Sequence, residues 1–404
     1  MKRSYTFLTL YFICSSLILF YIYKYLIDQQ QNKGAYLCSI DKYVSQLDLI
    51  NSNQCKASNL SVTYDKCIKV MKDLHHEFKI RFKDKQNCEQ CLIINEQKQI
   101  IFYHTFLDVK ENINASNSIF KTRLINLNLM SFLNTQNLQC SQLIYWITDR
   151  FPIELRHELE LKYSKWFKNN SVQFRIFDLK KVCDDSLKSK LQYSILHTYP
   201  ICQVKNQPNF GNSVTFSDFV RFIVLDVYAG IWIDLDVLYL KDMRLLWHKN
   251  FIYRWGSHMY VNTAVIGINK KIDHRINKVY DKMFLNTDNF DHIGAKSYAN
   301  TFSDLVKSQT GNLFENGVFT VYHSFLFDPA WISTENGMRP FKNAINDFNQ
   351  FIFGLVINRN DFDPNEFYPG AFLYHIHNSN RNVKIQENSY FYHFEIFLKN
   401  KLNL

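Results

Sequence analysis

A chain of 404 residues, 47% hydrophobic and 16% aromatic, is long enough to bury a large core in one or two domains. Its formal net charge of +10 raises nucleic acid as a partner, but Lys and Arg are scattered singly among Asn, Gln and acidic residues, and no basic helix or RNA-binding signature is present. The charge is read as solvated surface, suited also to anionic head groups of a membrane or to a small anionic substrate.

In chain order, Lys2 and Arg3 precede an uncharged run from Ser4 to Tyr23 that ends at Lys24. About 20 apolar residues at about 1.5 Å each cross a bilayer core. Positive charge ahead of the run holds that end in the cytosol and places the remainder in the lumen. A cleaved signal peptide is the alternative, because Lys33-Gly34-Ala35 can mimic a small-residue cleavage site. The length of the run and its aromatic end favour a type II anchor. The organisation read from the sequence is a cytoplasmic tail (1–3), a transmembrane signal anchor (4–23), a luminal stem (24–96), a catalytic domain (97–380) and a C-terminal extension (381–404).

The stem is polar and without periodicity. Of nine cysteines, Cys14 lies in the span, and an even number remains for an oxidising lumen, which predicts disulfides without fixing their pairing. Cys88-x-x-Cys91 can be read as a zinc or redox pair or as structural; a lone pair without a second favours the structural reading. Sequons stand at Asn59, Asn114 and Asn169, and such tripeptides also arise readily by chance in an asparagine-rich chain.

From Gln97 onward strand and helix alternate. Gln99 to Tyr103 reads as a strand, Leu124 to Leu133 as a helix, Leu143 to Ile147 as a strand, Pro152 to Phe167 as a helix and Val172 to Phe177 as a strand. The alternation predicts an α/β fold, a Rossmann-type and mostly parallel sheet with helices on both faces. Ligands bind such sheets beyond the carboxyl ends of the strands. Tyr103, His104 and Thr105, at the end of the first strand, are thus candidate nucleotide contacts, against a plain strand-end role for His104.

The stretch on which the reading turns is Ser217-Asp218-Phe219-Val220-Arg221 running into Ala229-Gly230-Ile231-Trp232-Ile233-Asp234-Leu235-Asp236-Val237. Phe219 to Tyr228 is apolar nearly all round, the pattern of a buried helix with Ser217 as N-cap and Gly230 as its C-terminal glycine. Asp218 and Arg221, three apart, share a face. In the strand that follows, Asp234 and Asp236 point the same way. Two carboxylates so close repel by roughly 4 kcal/mol at an effective dielectric near 20. A shared proton or a divalent cation offsets this, unless both groups are simply solvated at a strand end.

This stretch resembles the sugar-binding region of the D-x-D glycosyltransferases, the family of the α-1,4-galactosyltransferases, the α-1,4-N-acetylglucosaminyltransferases and the yeast-type initiating α-1,6-mannosyltransferases. The family pattern reads S-D-x-x-R, a hydrophobic helix, then G-G-[IV]-Y-x-D-x-D; here Ala229 stands for the first glycine and Trp232 for the tyrosine. The resemblance, spanning residues 97–380, implies a GT-A-like domain with Asp234 and Asp236 holding Mn²⁺, or another divalent cation, on a nucleotide diphosphate. Asp218 and Arg221 would contact the donor sugar. It also implies retention of anomeric configuration, a glycan or glycolipid acceptor, a UDP-sugar as favoured donor with galactose as first choice, and a Golgi membrane location.

Two later stretches extend the site. In Tyr260-Val261-Asn262-Thr263-Ala264, Asn262 either faces a sugar or shapes a turn. In Tyr374-His375-Ile376-His377, the two histidines share a strand face, a spacing suited to one metal ligand and one phosphate donor, or to a plain pair of surface histidines. Besides a transferase, two other readings remain: an inactive membrane-anchored carbohydrate-binding protein, and a two-carboxylate hydrolase.

Overall fold

The computed structural model describes residues 76, 100–106, 115–149, 151–188, 196–198, 202, 213–247, 250–254, 261–269, 319–322, 324–329, 370–376, 385–387 and 389–404. The expected anchor at 4–23, nearly all of the stem, the Cys88/Cys91 pair, the sequons at Asn59 and Asn114, and His377 lie outside them. Among the described residues no helix is long and apolar enough to cross a membrane.

The elements, in chain order, are β1 (Ile100–Phe106), α1 (Ala115–Thr135), β2 (Ser141–Ile147), α2 (Ile153–Lys162), α3 (Ser164–Lys168), β3 (Val172–Ile176), α4 (Leu179–Lys188) and α5 (Ser213–Tyr228). After these come β4 (Gly230–Ile233), β5 (Val237–Tyr239), β6 (Phe251–Arg254), β7 (Val261–Ile268), β8 (Thr320–Tyr322), β9 (Leu373–His375) and α6 (Tyr390–Leu402). Seven strands form one sheet in the order β3-β2-β1-β4-β7-β6-β8, and β5 pairs with β9 in a second, two-stranded sheet. In the large sheet β7 alone is antiparallel to its neighbours, so the mostly parallel arrangement expected from the sequence is present.

Period-two alternation divides the strand side chains between two cores. Ile100, Phe102, Leu143, Tyr145, Ile231 and Ile233 pack with Leu127, Met130 and Phe132 of α1 on one face. Tyr103, Ile144, Trp146 and Trp232 pack with Phe219, Phe222 and Ile223 of α5 on the other. Both faces are thereby covered by helix, as parallel strands require. In the segment expected as a C-terminal extension, α6 begins at Ser389, whose hydroxyl accepts the Tyr392 N–H. It docks on α1 through Arg123 and Glu395, 2.5 Å apart, and adds Phe391 and Phe394 to the first core.

Several boundaries differ from the sequence reading for local reasons. The run Pro152 to Phe167 is two helices, since the backbone leaves helical geometry at Tyr163. Helix α5 starts at Ser213, so Ser217 is interior to it and is not its N-cap. Its end is made by Ala229, which takes the left-handed conformation (φ 53°), and not by Gly230. Gly230 opens β4 at φ 128°, and a Cβ there would come 2.5 Å from both the Ile101 carbonyl oxygen and the Tyr103 ring. Only glycine fits that backbone and that approach. A disulfide joins Cys183 of α4 to Cys202, and Cys140 is also disulfide-bonded.

Candidate functional site

The site lies where α5, β4, β7 and β9 meet, at the carboxyl end of β4. Strand β4 stops at Ile233, and Asp234, Leu235 and Asp236 form a turn closed by the Val237 N–H donating to the Asp234 carbonyl, 3.1 Å. The two aspartates are therefore brought together by a turn and not by strand alternation. The Asp234 N–H donates to the Ala264 carbonyl of β7, which fixes the turn against the antiparallel neighbour.

Arg221 sits beneath this turn. It is 3% exposed and makes ion pairs with Asp218 (3.0 Å) and Asp234 (2.6 Å). It also donates to the Thr263 hydroxyl and lies over the Trp232 ring. The shared helix face expected for Asp218 and Arg221 is realised as their ion pair. The Trp232 indole N–H donates to the same Asp234 oxygen, 2.8 Å. Burial pushes the Asp218 carboxyl up to about 6, against the pull of Arg221 and with a further push from Asp234. Burial also raises Asp234, opposed by Arg221 and reinforced by Asp236. Asp218 is itself only 7% exposed, whereas the Asp234 and Asp236 side chains keep 27% and 22% of their surface open. Asp218 and Arg221, expected as donor-sugar contacts, thus lie beneath the more open Asp234, which Arg221 pairs directly.

His375 reaches Asp236 through the small sheet. Val237 is in register with His375, and the Ile376 N–H donates to the Asp236 carbonyl. His375 Nε2 is 3.4 Å from Asp236 Oδ1. On the other side of the ring, Nδ1 faces the Tyr253 hydroxyl at 3.2 Å and the fully buried Asp328 carboxylate at 3.6 Å. Burial alone would lower the imidazole, but Asp236 and Asp328 raise it to about 10. No local sequence pattern marks Asp328 or Tyr253 as members of the site. Thr263 and Trp232 were visible only as a polar residue beside Asn262 and as a departure from the family tyrosine.

Other expected site residues fall elsewhere. Tyr103 and His104, expected as nucleotide contacts, are fully buried: Tyr103 lies under Gly230, and His104 bonds the Tyr239 hydroxyl at 2.9 Å and stacks on Tyr145. Burial lowers His104 to about 3. Thr105 is in β1. Asn262 shapes the chain locally, its side-chain oxygen accepting the Ala264 N–H at 2.8 Å, two residues from the Thr263–Arg221 contact.

Among the described residues no three His, Cys, Asp or Glu side chains form a ready ligand set for a metal. Asp236 and His375 nonetheless stand side by side with Asp234 in the same turn, a hard-oxygen and imidazole pair. Such a pair suits a divalent cation that takes its remaining oxygens from a phosphate-bearing substrate.

Residues 156–262 match the family described as the glycosyltransferase sugar-binding region containing the DXD motif. The match runs from α2 through the Asp218/Arg221 helix and the Asp234–Asp236 turn to Asn262. No curated protein matches the chain. Similar solved structures include PaToxG glycosyltransferase, at 14% identity, covering 62% of this chain and 81% of that one with a TM-score of 0.34. The apo bifunctional glycosyltransferase WbbM is 8% identical over 75% of this chain and 52% of that one, TM-score 0.39. The galactosyltransferase LgtC in complex with donor and acceptor sugar analogs is 10% identical over 74% and 96%, TM-score 0.36. The Asp-x-Asp turn and the Asp218/Arg221 helix both fall inside the segment, residues 156–262, that matches the glycosyltransferase sugar-binding region containing the DXD motif.

Proposed function

We propose that the protein is a metal-dependent, retaining glycosyltransferase that moves a hexose from a nucleotide sugar to a glycan or glycolipid. A UDP-sugar is the favoured donor, with galactose first and mannose or N-acetylglucosamine as alternatives. The observation that carries this reading is the Asp234–Asp236 turn, held from below by Arg221 and Trp232 and from the side by His375. That arrangement presents two partly open carboxylates with a buried imidazole beside them. Asp236 and His375 would hold Mn²⁺ or a similar cation, which supplies neutralisation of the charge that builds on the departing diphosphate.

The protein's own residues do the rest. Arg221 and the Trp232 N–H fix one Asp234 oxygen, so the carboxylate is pre-oriented before substrate arrives and its outer oxygen is left for a donor hydroxyl. Asp218, through Arg221, acts as a positioning residue. No described carboxylate is placed as a nucleophile: Asp226, the remaining acid of α5, is fully buried and lies about 12 Å along the helix from Asp218. Retention is therefore assigned to front-face attack assisted by the departing phosphate.

The sequence pattern at 1–23 supports a Golgi type II protein with its catalytic domain in the lumen. The Cys183–Cys202 disulfide supports an oxidising compartment. The deciding experiment incubates the full chain in detergent with a panel of UDP- and GDP-sugars and Mn²⁺. It is repeated with chelator and with Asp236→Ala. Nucleotide release from one donor, lost in both controls, is the expected result. Binding of a nucleotide sugar without release would establish the carbohydrate-binding alternative, and release that is indifferent to chelator would refute metal dependence.

A further inference from the structure

Away from the Asp234–Asp236 turn, a cavity of about 500 Å³ opens beside edge strand β3. Its walls come from β2, β3, α2, α4 and the last residue of α5, Tyr228. Tyr228 and Arg221 are seven residues apart on one helix, about 10 Å along its axis, and none of the Asp218, Arg221, Asp234, Asp236 or His375 cluster lines the cavity. A space of this size is within the range of small-molecule sites.

The lining is rich in donors. Arg156, Arg175 and Lys181 reach it from three different elements. Arg175 spends two donors on the Gln173 amide oxygen and Arg156 one on Glu160, while the Lys181 ammonium has no ion pair among the described residues. The Trp146 indole is 3% exposed and its N–H has no partner among the described residues. The Tyr103 hydroxyl, outside the lining, is also buried and without a partner among the described residues, and lies within electrostatic reach of Arg175 and Tyr228.

An orphaned buried N–H costs about 1–3 kcal/mol, so Trp146 needs an acceptor that the described residues do not supply. The two acids of the lining are partly used: Asp178 accepts the Lys181 backbone N–H and Asp185 accepts the Tyr228 hydroxyl at 2.7 Å. Each keeps an oxygen for a hydroxyl of a ligand. Trp146 and Tyr228, stacked on each other, and Phe174 give the cavity apolar ring surface.

We infer that this cavity is a second ligand site, separate from the DXD turn, for a hydroxylated ring bearing one anionic group: a monosaccharide carrying a phosphate or a carboxylate. The anion meets Arg175, Arg156 and Lys181, an acceptor atom of the ligand takes the Trp146 N–H, and the ring hydroxyls meet Asp178 and Asp185. The site does not depend on the donor reading above.

The test is isothermal titration of the full chain in detergent with glucose 6-phosphate, glucuronate and glucose, without metal. One of the two anionic sugars should saturate with a Kd below about 1 mM and at least tenfold more tightly than glucose; which one does so tells phosphate from carboxylate. Lys181→Gln, at an exposed position where folding is not at stake, should weaken binding about tenfold or more, as expected for a charge-assisted hydrogen bond. Arg175→Gln should do the same, and Asp236→Asn should leave the Kd unchanged. Equal or absent binding of all three sugars would overturn the inference. So would binding that Asp236→Asn abolishes and Lys181→Gln spares, because the sugar would then occupy the DXD site.

Discussion

Replacing Arg221 with Met tests whether the guanidinium is the keystone of the site. The side chain is 3% exposed and holds two carboxylates, Asp218 at 3.0 Å and Asp234 at 2.6 Å. Removing one partner of a buried ion pair costs about 3–5 kcal/mol, because the remaining charge is stranded. Asp234 is partly open to water, which recovers some of that loss, so the expected cost is about 3 kcal/mol by urea unfolding at pH 8. The penalty should shrink with acid. The Asp218 carboxyl is raised by burial to about 6, above its unfolded value near 3.9. The stability gained from its protonation is present below that unfolded value and is lost as pH rises through 6. Without the Arg221 charge the carboxyl rises further, so at pH 5 it is neutral in the variant and no longer stranded. Adding Asp218→Asn to Arg221→Met should restore part of the loss, giving a coupling of about 1–3 kcal/mol in the double-mutant cycle. A cost under about 1 kcal/mol, a penalty independent of pH, or simple additivity would each refute the argument.

Three further outcomes are expected. Ala229 holds a left-handed conformation that costs an L-residue about 1–2 kcal/mol, partly regained because glycine loses more entropy on folding; Ala229→Gly should therefore stabilise by about 0.5–1 kcal/mol, and thermal unfolding that is unchanged or lower would contradict the backbone reading. His104, lowered by burial to about 3, should stay neutral in the folded protein at pH 5 by long-range ¹⁵N NMR. Because the unfolded imidazole takes up a proton below about 6.5 and the native one does not, this group withdraws stability as pH falls from 6.5 toward 3; a folded-state midpoint near 6.5 would disprove the buried environment. Asp328→Asn removes the carboxylate behind His375 and should raise the Mn²⁺ concentration for half-maximal nucleotide release by about 10–100-fold, whereas an unchanged metal requirement would show that Asp328 does not orient the imidazole.

The parts of the fold legible in the sequence were those written in local periodicity. The strands from Ile100 to Ile176 and the buried helix before the Asp-x-Asp turn announce themselves by apolar runs, and their alternation implies the parallel sheet. The first turn of α5 was missed because Ser213-Val214-Thr215-Phe216 carries weak helix formers, and α1 was read short because its apolar run begins only at Leu124 while the helix begins at Ala115. The β5–β9 pairing is invisible locally: Val237 and His375 are far apart in the chain, and nothing in either three-residue strand names the other. That pairing is what carries His375 to Asp236, so half of the candidate site depended on long-range topology. The burial of Tyr103 and His104 is not legible locally, because a strand end in sequence need not be a strand end at the surface; β1 continues to Phe106, and both side chains are buried.

Asp234 and Asp236 seemed, from sequence, to share one electrostatic problem with one solution, a proton or a cation between them. The structure divides the problem. Asp234 is compensated from below by Arg221 and the Trp232 N–H, and Asp236 from the side by His375, whose protonated form Asp236 and Asp328 together favour. Asp236 and His375 would hold a divalent cation only with the imidazole neutral, so metal affinity should rise with pH, and a phosphate-bearing substrate should strengthen it by supplying further oxygens. Asp234, by contrast, is already held by Arg221 and the Trp232 N–H, both on one oxygen, which makes it the fixed member of the pair. On this argument Asp236→Asn should abolish metal-dependent turnover, while Asp234→Asn, which retains the Arg221 and Trp232 contacts through its amide oxygen, should act chiefly on the binding of the sugar.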